Sequence, residues 1–110
     1  MKIVLSQLNY TIGDLKGNVS QMVEHVHRAK QDGADLIVFC ELSICGYIPK
    51  DMLNYESFIT RCYEALDDLK SHANDIAIVV GMPTRSGLVK GKSLYNSAVV
   101  LADGEVLQEV

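Results

Sequence analysis

The stretch that decides the fold is ADLIVFCELSICGY, residues 34–47. Residues 36–40 form a run of five apolar residues, which is typical of a strand buried on both faces in a parallel sheet. Glu41 follows this run directly, and Gly46 interrupts the chain shortly afterwards. Because ligands of parallel α/β sheets bind outside the carboxyl ends of the strands, Glu41 is the first candidate for a functional residue.

The position of Glu41 leaves two interpretations open. Desolvation at the end of a buried strand raises the pKa of a carboxyl group toward the neutral range that a general base needs, whereas a neighbouring lysine lowers it. A glutamate at the end of a strand can also cap the next turn or point into solvent. The role of Glu41 therefore depends on its neighbours.

Two strands and a helix are predicted in the first part of the chain. Residues 2–8 and 35–40 read as strands, and the helix between them is expected to begin at an Asn18 N-cap and to end at Gly33 in the left-handed region. Its apolar residues recur at helical spacing: Val19, Met22, Val23, Val26 and Ala29.

The second part of the chain continues the alternation. A second helix presents an apolar stripe made of Phe58, Ile59, Cys62, Leu66 and Leu69. Asp51 is expected to cap this helix, and contact with a substrate is the alternative for its carboxylate. A third strand is predicted over 76–82, ended by Pro83, and a fourth over 94–101. Asp103-Gly104 predicts a hairpin, so strands four and five should be antiparallel in an otherwise mostly parallel sheet.

Composition excludes several classes of function. The net charge of −4 without a cluster of Lys and Arg argues against nucleic-acid binding. No apolar run reaches the length of a membrane span and the first residues do not form a signal peptide, so a cytoplasmic protein is expected, with no membrane partner.

The cysteine and histidine positions predict neither disulfides nor a metal site. Cys40, Cys45 and Cys62 are odd in number and lack paired metal-ligand spacing, so all three are expected to be reduced. His25 and His27 lie two positions apart on a predicted helix, which directs them to different sides. No metal constellation follows from these residues.

The motif Phe39-x-Glu41-Leu42-x-x-x-Gly46-Tyr47 resembles the first catalytic motif of the nitrilase (carbon-nitrogen hydrolase) superfamily. Its extension through Pro49, Asp51 and Leu53 is similar to the glutaminase domain of glutamine-dependent NAD synthetases. Residues 2–9, 11–18 and 94–98 agree with this resemblance, which covers nearly the whole chain. It implies an α/β fold, a nitrilase-like α-β-β-α sandwich of which residues 1–110 supply the first half, as a mixed sheet with helices on one face.

Enzymes of this superfamily use a glutamate, a lysine and a cysteine. The resemblance implies that Glu41 is the general base and that the lysine and the cysteine follow after residue 110. Lys90 and Lys92 flank Gly91 in a predicted loop and are poor substitutes. Residues 1–110 are therefore expected to be the N-terminal part of a glutaminase domain, inactive and poorly folded alone, with strand edges and an apolar face uncovered.

Tyr47 is the second candidate site residue, six positions after Glu41. Its ring and hydroxyl could line the pocket for the substrate amide, or the ring could simply pack at the mouth of the sheet. Tyr95 and Asn96 also match the superfamily, but strand packing and turn bonding explain them equally well. They are not selected as site residues.

The resemblance implies glutamine amide hydrolysis that supplies ammonia for ATP-dependent NAD synthesis from deamido-NAD. No cofactor is expected in this segment, and ATP and Mg²⁺ would bind in an absent synthetase domain. The expected partners are glutamine, the remainder of the same chain and, in the full-length form, further copies in a homo-oligomer.

Two other functions remain open. The chain could belong to a stand-alone amidase of the nitrilase superfamily that acts on another carboxamide, which a stop soon after the cysteine domain would indicate. It could also be a complete, noncatalytic α/β binding module. A stable monomer would favour that reading, and a downstream lysine and cysteine would contradict it.

Overall fold

The structure is a computed structural model that describes residues 1–87 and 94–110, so Lys90, Gly91 and Lys92 lie outside the described residues. The predicted alternation of strands and helices is confirmed. The elements in chain order are β1 (Ile3–Leu5), α1 (Leu15–Gln31), β2 (Leu36–Val38), a 3-10 helix (Lys50–Asn54), α2 (Glu56–Lys70), β3 (Ala77–Arg85), β4 (Leu94–Ala102) and β5 (Glu105–Glu109). Strands β1 and β2 are shorter than the predicted 2–8 and 35–40.

The five strands form one mixed sheet in the order β1-β2-β3-β4-β5. Strand β2 pairs in parallel with β1 and β3, whereas β4 is antiparallel to both β3 and β5. The predicted β4–β5 hairpin is confirmed, and its turn residues Asp103 and Gly104 both have positive φ, at 53° and 74°. The antiparallel pairing of β3 with β4 was not predicted.

Both helices cover the same face of the sheet. One row of paired residues crosses the strands on that face, Val4, Ile37, Ile78 and Leu101, and the last three are fully buried. Buried residues of α1 and α2 pack against them, including the whole predicted stripe of α2. The α/β fold with a mixed sheet and helices on one face is thus confirmed.

The opposite face of the sheet is open. Its residues alternate with the buried row, and at its β1 edge Ile3 and Leu5 are 51% and 76% exposed. Val38, Val79 and Val100 continue this apolar surface across the next three strands as half-buried residues. Helix packing therefore stabilises one face only and leaves an apolar surface on the other.

Helix α1 begins earlier than predicted. Its N-cap is Asp14, whose Oδ1 accepts a hydrogen bond from the Gly17 N–H at 3.0 Å, so the prediction of an Asn18 N-cap is wrong. Asn18 is fully buried inside the helix instead. The other end is as predicted, because Gly33 follows the helix with a φ of 78°.

The buried Asn18 side chain joins two separate segments of backbone. Its Oδ1 accepts from the Thr11 N–H at 2.8 Å, and its Nδ2 donates to the carbonyls of Thr11 at 2.9 Å and Ile44 at 3.1 Å. All of these groups would need water if the amide were absent. Asn18 therefore holds the segment before α1 against the turn that follows β2.

The second helix also begins differently from the prediction. Its N-cap position is Tyr55, which makes no side-chain cap hydrogen bond, and Asp51 lies in the preceding 3-10 helix. The prediction that Asp51 caps α2 is wrong. This 3-10 helix lies between the Glu41 motif and α2, and the spacing of residues in the sequence does not predict it.

Strand β3 does not end at Pro83, contrary to the prediction, but continues to Arg85. The Val79 carbonyl accepts from the Phe39 N–H and the Gly81 carbonyl from the Ile44 N–H, so these backbone groups face away from β4. Pro83 is the next alternate residue of β3 after Val79 and Gly81, so its backbone nitrogen also faces away from β4. It therefore removes no hydrogen bond from the β3–β4 ladder, and the strand tolerates it.

Among the described residues, no helix has the length and apolar character needed to cross a bilayer.

We predict that Asn18→Ala lowers the free energy of unfolding by about 2–3 kcal/mol, since it leaves several buried backbone groups without partners. Thermal or urea unfolding of the protein measures this change. Asn74→Ala is the matched control, because Asn74 is exposed and its amide donates to the Ser71 carbonyl at 2.9 Å. Equal losses in the two variants would contradict the structural role assigned to Asn18.

Candidate active site

The candidate site is the turn that follows β2. After Val38, the chain pairs once more through the Phe39 N–H to the Val79 carbonyl at 2.9 Å and then turns at Glu41. Leu42 adopts a φ of 50°, in the left-handed region that a leucine rarely occupies. Its strain is offset by the contacts that fix the turn.

The turn that carries Glu41 packs against Gly81 of β3. The Ile44 N–H donates to the Gly81 carbonyl at 3.1 Å, and the Gly81 N–H donates to the Ser43 hydroxyl at 3.2 Å. A Cβ on Gly81 would lie 2.4 Å from the Leu42 nitrogen and 2.8 Å from the Cys40 carbonyl oxygen. Glycine is therefore required at this position for the Glu41 turn to approach β3. Nothing in the local sequence around Gly81 predicts this requirement.

The Glu41 carboxylate is exposed, although it follows a buried strand. The described residues therefore do not bury this carboxylate, although desolvation would require them to do so. Oε1 of Glu41 accepts a hydrogen bond from Nδ2 of Asn96, which lies on β4 opposite Pro83. The structure thus joins Glu41 to a residue that sequence reasoning had set aside, 55 positions away.

Glu41 borders a groove of about 410 Å³ on the open face of the sheet. Half-buried apolar side chains of neighbouring strands, Val38, Val79 and Ala98, form its floor together with Gly81. Asn96 and Ser97 lie along the same groove. A carboxylate beside an apolar groove can act on a polar group of a ligand whose carbon skeleton contacts the floor.

Tyr47 does not line this groove. Its side chain is 63% exposed and lies beyond Gly46, after the turn that carries Glu41. The structure therefore does not bring the two predicted site residues together. The binding role of Tyr47 stays a prediction, and its packing at the mouth of the sheet is not observed.

The three cysteines are free, and two of them are buried away from the groove. A hydrogen bond with the Cys45 sulfur, together with burial, raises the pKa of the Cys62 thiol. Cys40 is half-buried at the groove, and its Sγ donates to the Ser6 carbonyl at 3.7 Å. Nearby, burial raises the pKa of Tyr10 to about 12, so this phenol stays neutral at physiological pH.

The described residues contain no group of three or more His, Cys, Asp and Glu side chains arranged to hold a metal ion. His25 contacts the Ser6 hydroxyl at 3.3 Å, and His27 lies against His72 with ring centroids 5.5 Å apart. These histidines therefore have structural neighbours on different sides of α1. Nothing in their arrangement links them to Glu41.

Comparison with known proteins gives a match along nearly the whole chain. Residues 2–109 match a family model described as carbon-nitrogen hydrolase. Over 108 residues the chain is 34% identical to the glutamine-dependent NAD(+) synthetase of Thermotoga maritima, an alignment that covers 97% of this chain and 18% of that protein. The chain thus spans about a fifth of the length of the curated relatives it matches.

Solved structures are similar in the same region. Glutamine-dependent NAD+ synthetase from Acinetobacter baumannii, in complex with adenosine diphosphate, has a TM-score of 0.85 and 33% identity and covers 98% of this chain and 20% of its own. An amidase from Nesterenkonia sp. has a TM-score of 0.79 at 24% identity and covers 99% of this chain and 41% of its own. The amidase likeness concerns the fold alone.

We predict that Gly81→Ala destabilises the protein by about 2–3 kcal/mol, because the added methyl group overlaps the backbone of the Glu41 turn. Hydrogen exchange should also accelerate at the Ile44 amide, whose acceptor is the Gly81 carbonyl. The control is Gly33→Ala, which meets no atom within 4 Å but carries the strain of a φ of 78°. Unchanged exchange at Ile44 in Gly81→Ala would contradict the packing described.

Proposed function

Because the chain belongs to the carbon-nitrogen hydrolase family, we propose that Glu41 is the general base of a site that hydrolyses the side-chain amide of glutamine. The observation that carries this proposal is the exposed Glu41 carboxylate, held by Asn96 beside an apolar groove at the end of a parallel strand. Similarity to glutamine-dependent NAD synthetases supports glutamine as the substrate. Tyr47 is proposed as a further contact to the substrate amide.

The proposed reaction passes through a thioester. Glu41 takes the proton from a cysteine thiol, and the thiolate forms a bond to the carboxamide carbon while a lysine stabilises the oxyanion. The carbon–nitrogen bond then breaks, and the proton returned by Glu41 leaves with ammonia. In the second half Glu41 deprotonates water, which cleaves the thioester to glutamate and free thiol.

The cysteine and lysine of this mechanism are proposed to come from outside the 110 residues. The thiols of Cys45 and Cys62 are buried away from the groove, and the sulfur of Cys40 donates to the Ser6 carbonyl. None of the three is therefore a free nucleophile facing Glu41. Lys90 and Lys92 lie outside the described residues.

In the proposed synthetase the ammonia is used to amidate deamido-NAD in an ATP-dependent step. This step requires ATP and Mg²⁺, for which the described residues present no group of three or more His, Cys, Asp and Glu side chains. We assign them to a separate synthetase domain of the complete polypeptide, which would make the protein a ligase as well as a hydrolase. A cytoplasmic location and a homo-oligomeric state belong to the same proposal.

We predict that Glu41→Ala in the complete polypeptide lowers glutamine-dependent NAD formation on the order of 10²-fold or more, the usual scale for loss of a general base. Synthesis from added ammonium salt should stay near the wild-type rate, because exogenous ammonia bypasses the glutaminase site. Both rates are measured as NAD produced from deamido-NAD and ATP.

Glu64→Gln is the matched control, since Glu64 is exposed on α2 and remote from the groove. A parallel loss of both activities in Glu41→Ala would make Glu41 a structural residue. No loss of either would refute its role as base. Amide hydrolysis that depends on Glu41 but produces no NAD would instead indicate the stand-alone amidase.

We also predict that the 110-residue polypeptide alone releases no ammonia from glutamine, because the proposed base has no nucleophile to activate. Ammonia is assayed after stringent purification, alongside gel filtration of the same sample. Turnover that disappears in Glu41→Gln would show that the proposed set of three catalytic groups is wrong. A monodisperse, cooperatively unfolding monomer without turnover would favour the noncatalytic binding module.

A further inference from the structure

We propose that Asn96 is a positioning residue that selects the orientation of the Glu41 carboxylate for proton transfer. The proposal rests on the role of Glu41 as general base given above. It goes further by assigning a specific task to a side chain on a different strand. Asn96 would act through Glu41 and not by contact with the substrate.

In the hydrogen bond between the two side chains, Asn96 must be the donor and Glu41 the acceptor. An ionised carboxylate only accepts hydrogen bonds, so the amide must present its Nδ2 to Oε1 of Glu41. This bond occupies one oxygen and leaves Oε2 to take a proton. A general base accepts a proton through one oxygen. The Asn96 amide therefore holds Oε1 of Glu41 in place, and Oε2 is the oxygen that reacts.

Glu41 needs such a partner because its side chain is exposed. A free glutamate side chain samples several rotamers, and fixing it in one of them costs conformational entropy. The turn beneath it holds only the backbone, through Gly81 and Ser43. The hydrogen bond from Asn96 restrains the carboxylate itself, and proton transfer depends on the position of the carboxylate.

Asn96 is itself held by the sheet. It lies near the start of β4, in the third pair from the end of the β3–β4 ladder, where Pro83 is its partner and Ser97 pairs with Met82. The neighbouring Ser97 hydroxyl is buried and lies 2.6 Å from the Thr84 hydroxyl, so this part of β4 is fixed on its other face. A short side chain with few rotamers on a fixed strand is a suitable anchor for a long, exposed one.

Asn96→Ala in the complete polypeptide tests the proposal. The kcat for glutamine-dependent NAD formation should fall about 10–100-fold, with KM for glutamine changed by less than about threefold, because an interaction that positions the base acts on the chemical step. Ammonia-supported synthesis and the thermal midpoint should stay at wild-type values, since the fold does not depend on this exposed amide.

Asn96→Asp gives a readout that a structural role would not produce. The substitution keeps the size of the side chain but replaces the donor with a second carboxylate, which repels Glu41 at neutral pH. Two neighbouring carboxylates share one proton as the pH falls, and the protonated partner can then donate again. The optimum of glutamine-dependent activity should therefore move to lower pH than in the wild-type protein.

The outcomes separate this proposal from the proposed function. Asn96→Ala with wild-type kcat, or Asn96→Asp with an unshifted pH optimum, would overturn the positioning role while Glu41→Ala still abolished glutamine use. Loss of ammonia-supported synthesis together with glutamine use in Asn96→Asp would reveal a structural role and overturn it too. Asn74→Ala, an exposed asparagine remote from Glu41, should leave every rate unchanged.

Discussion

The close approach of two backbones at Gly81 is the constraint on which the site depends. The turn that carries Glu41 lies where a side chain on this residue of β3 would be, within 2.4 Å of the position a Cβ would take. Hydrogen bonds from Ile44 and to Ser43 close the contact. This packing sets the position of Glu41 relative to β4, and it explains how a glutamate at the end of β2 reaches Asn96 across an intervening strand.

The site combines a rigid backbone with an accessible side chain. Asn18 ties the turn to the segment before α1 from one side, and Gly81 supports it from the other. Both contacts are buried, so the free energy that holds the turn comes from hydrogen bonds protected from water. The carboxylate of Glu41 remains exposed to the groove. The base proposed at Glu41 would exchange protons with a ligand, and this task requires a fixed main chain together with an accessible carboxylate.

The asymmetry of the sheet gives the groove its location. Helices α1 and α2 cover one face, and the other carries apolar residues from Ile3 and Leu5 at one edge to Val79 and Val100 nearer the centre. Glu41 and Asn96 lie at the end of this open face. The α-β-β-α sandwich implied by the resemblance would cover the face with a second layer. Such a layer would convert the groove into an enclosed pocket and exclude water from the carboxylate.

Local patterns in the sequence determined most of the elements of this protein. The stripe of α2 and the Asp103-Gly104 turn each depend on residues near one another in the chain, and both were predicted correctly. The apolar run before Glu41 correctly predicted a parallel strand, but β2 is shorter than 35–40 and has one open face where burial on both faces was expected. The motif around Glu41 likewise identified the family. The errors arose where a residue serves a distant partner: Asn18 resembles a helix cap but bonds Thr11 and Ile44 in the core, and Pro83 resembles a strand end but faces away from the β4 ladder. Only the tertiary structure decided that Gly81 must lack a side chain and that Asn96 meets Glu41, because strand register brings residues far apart in the chain into contact and leaves no periodic signal in either segment.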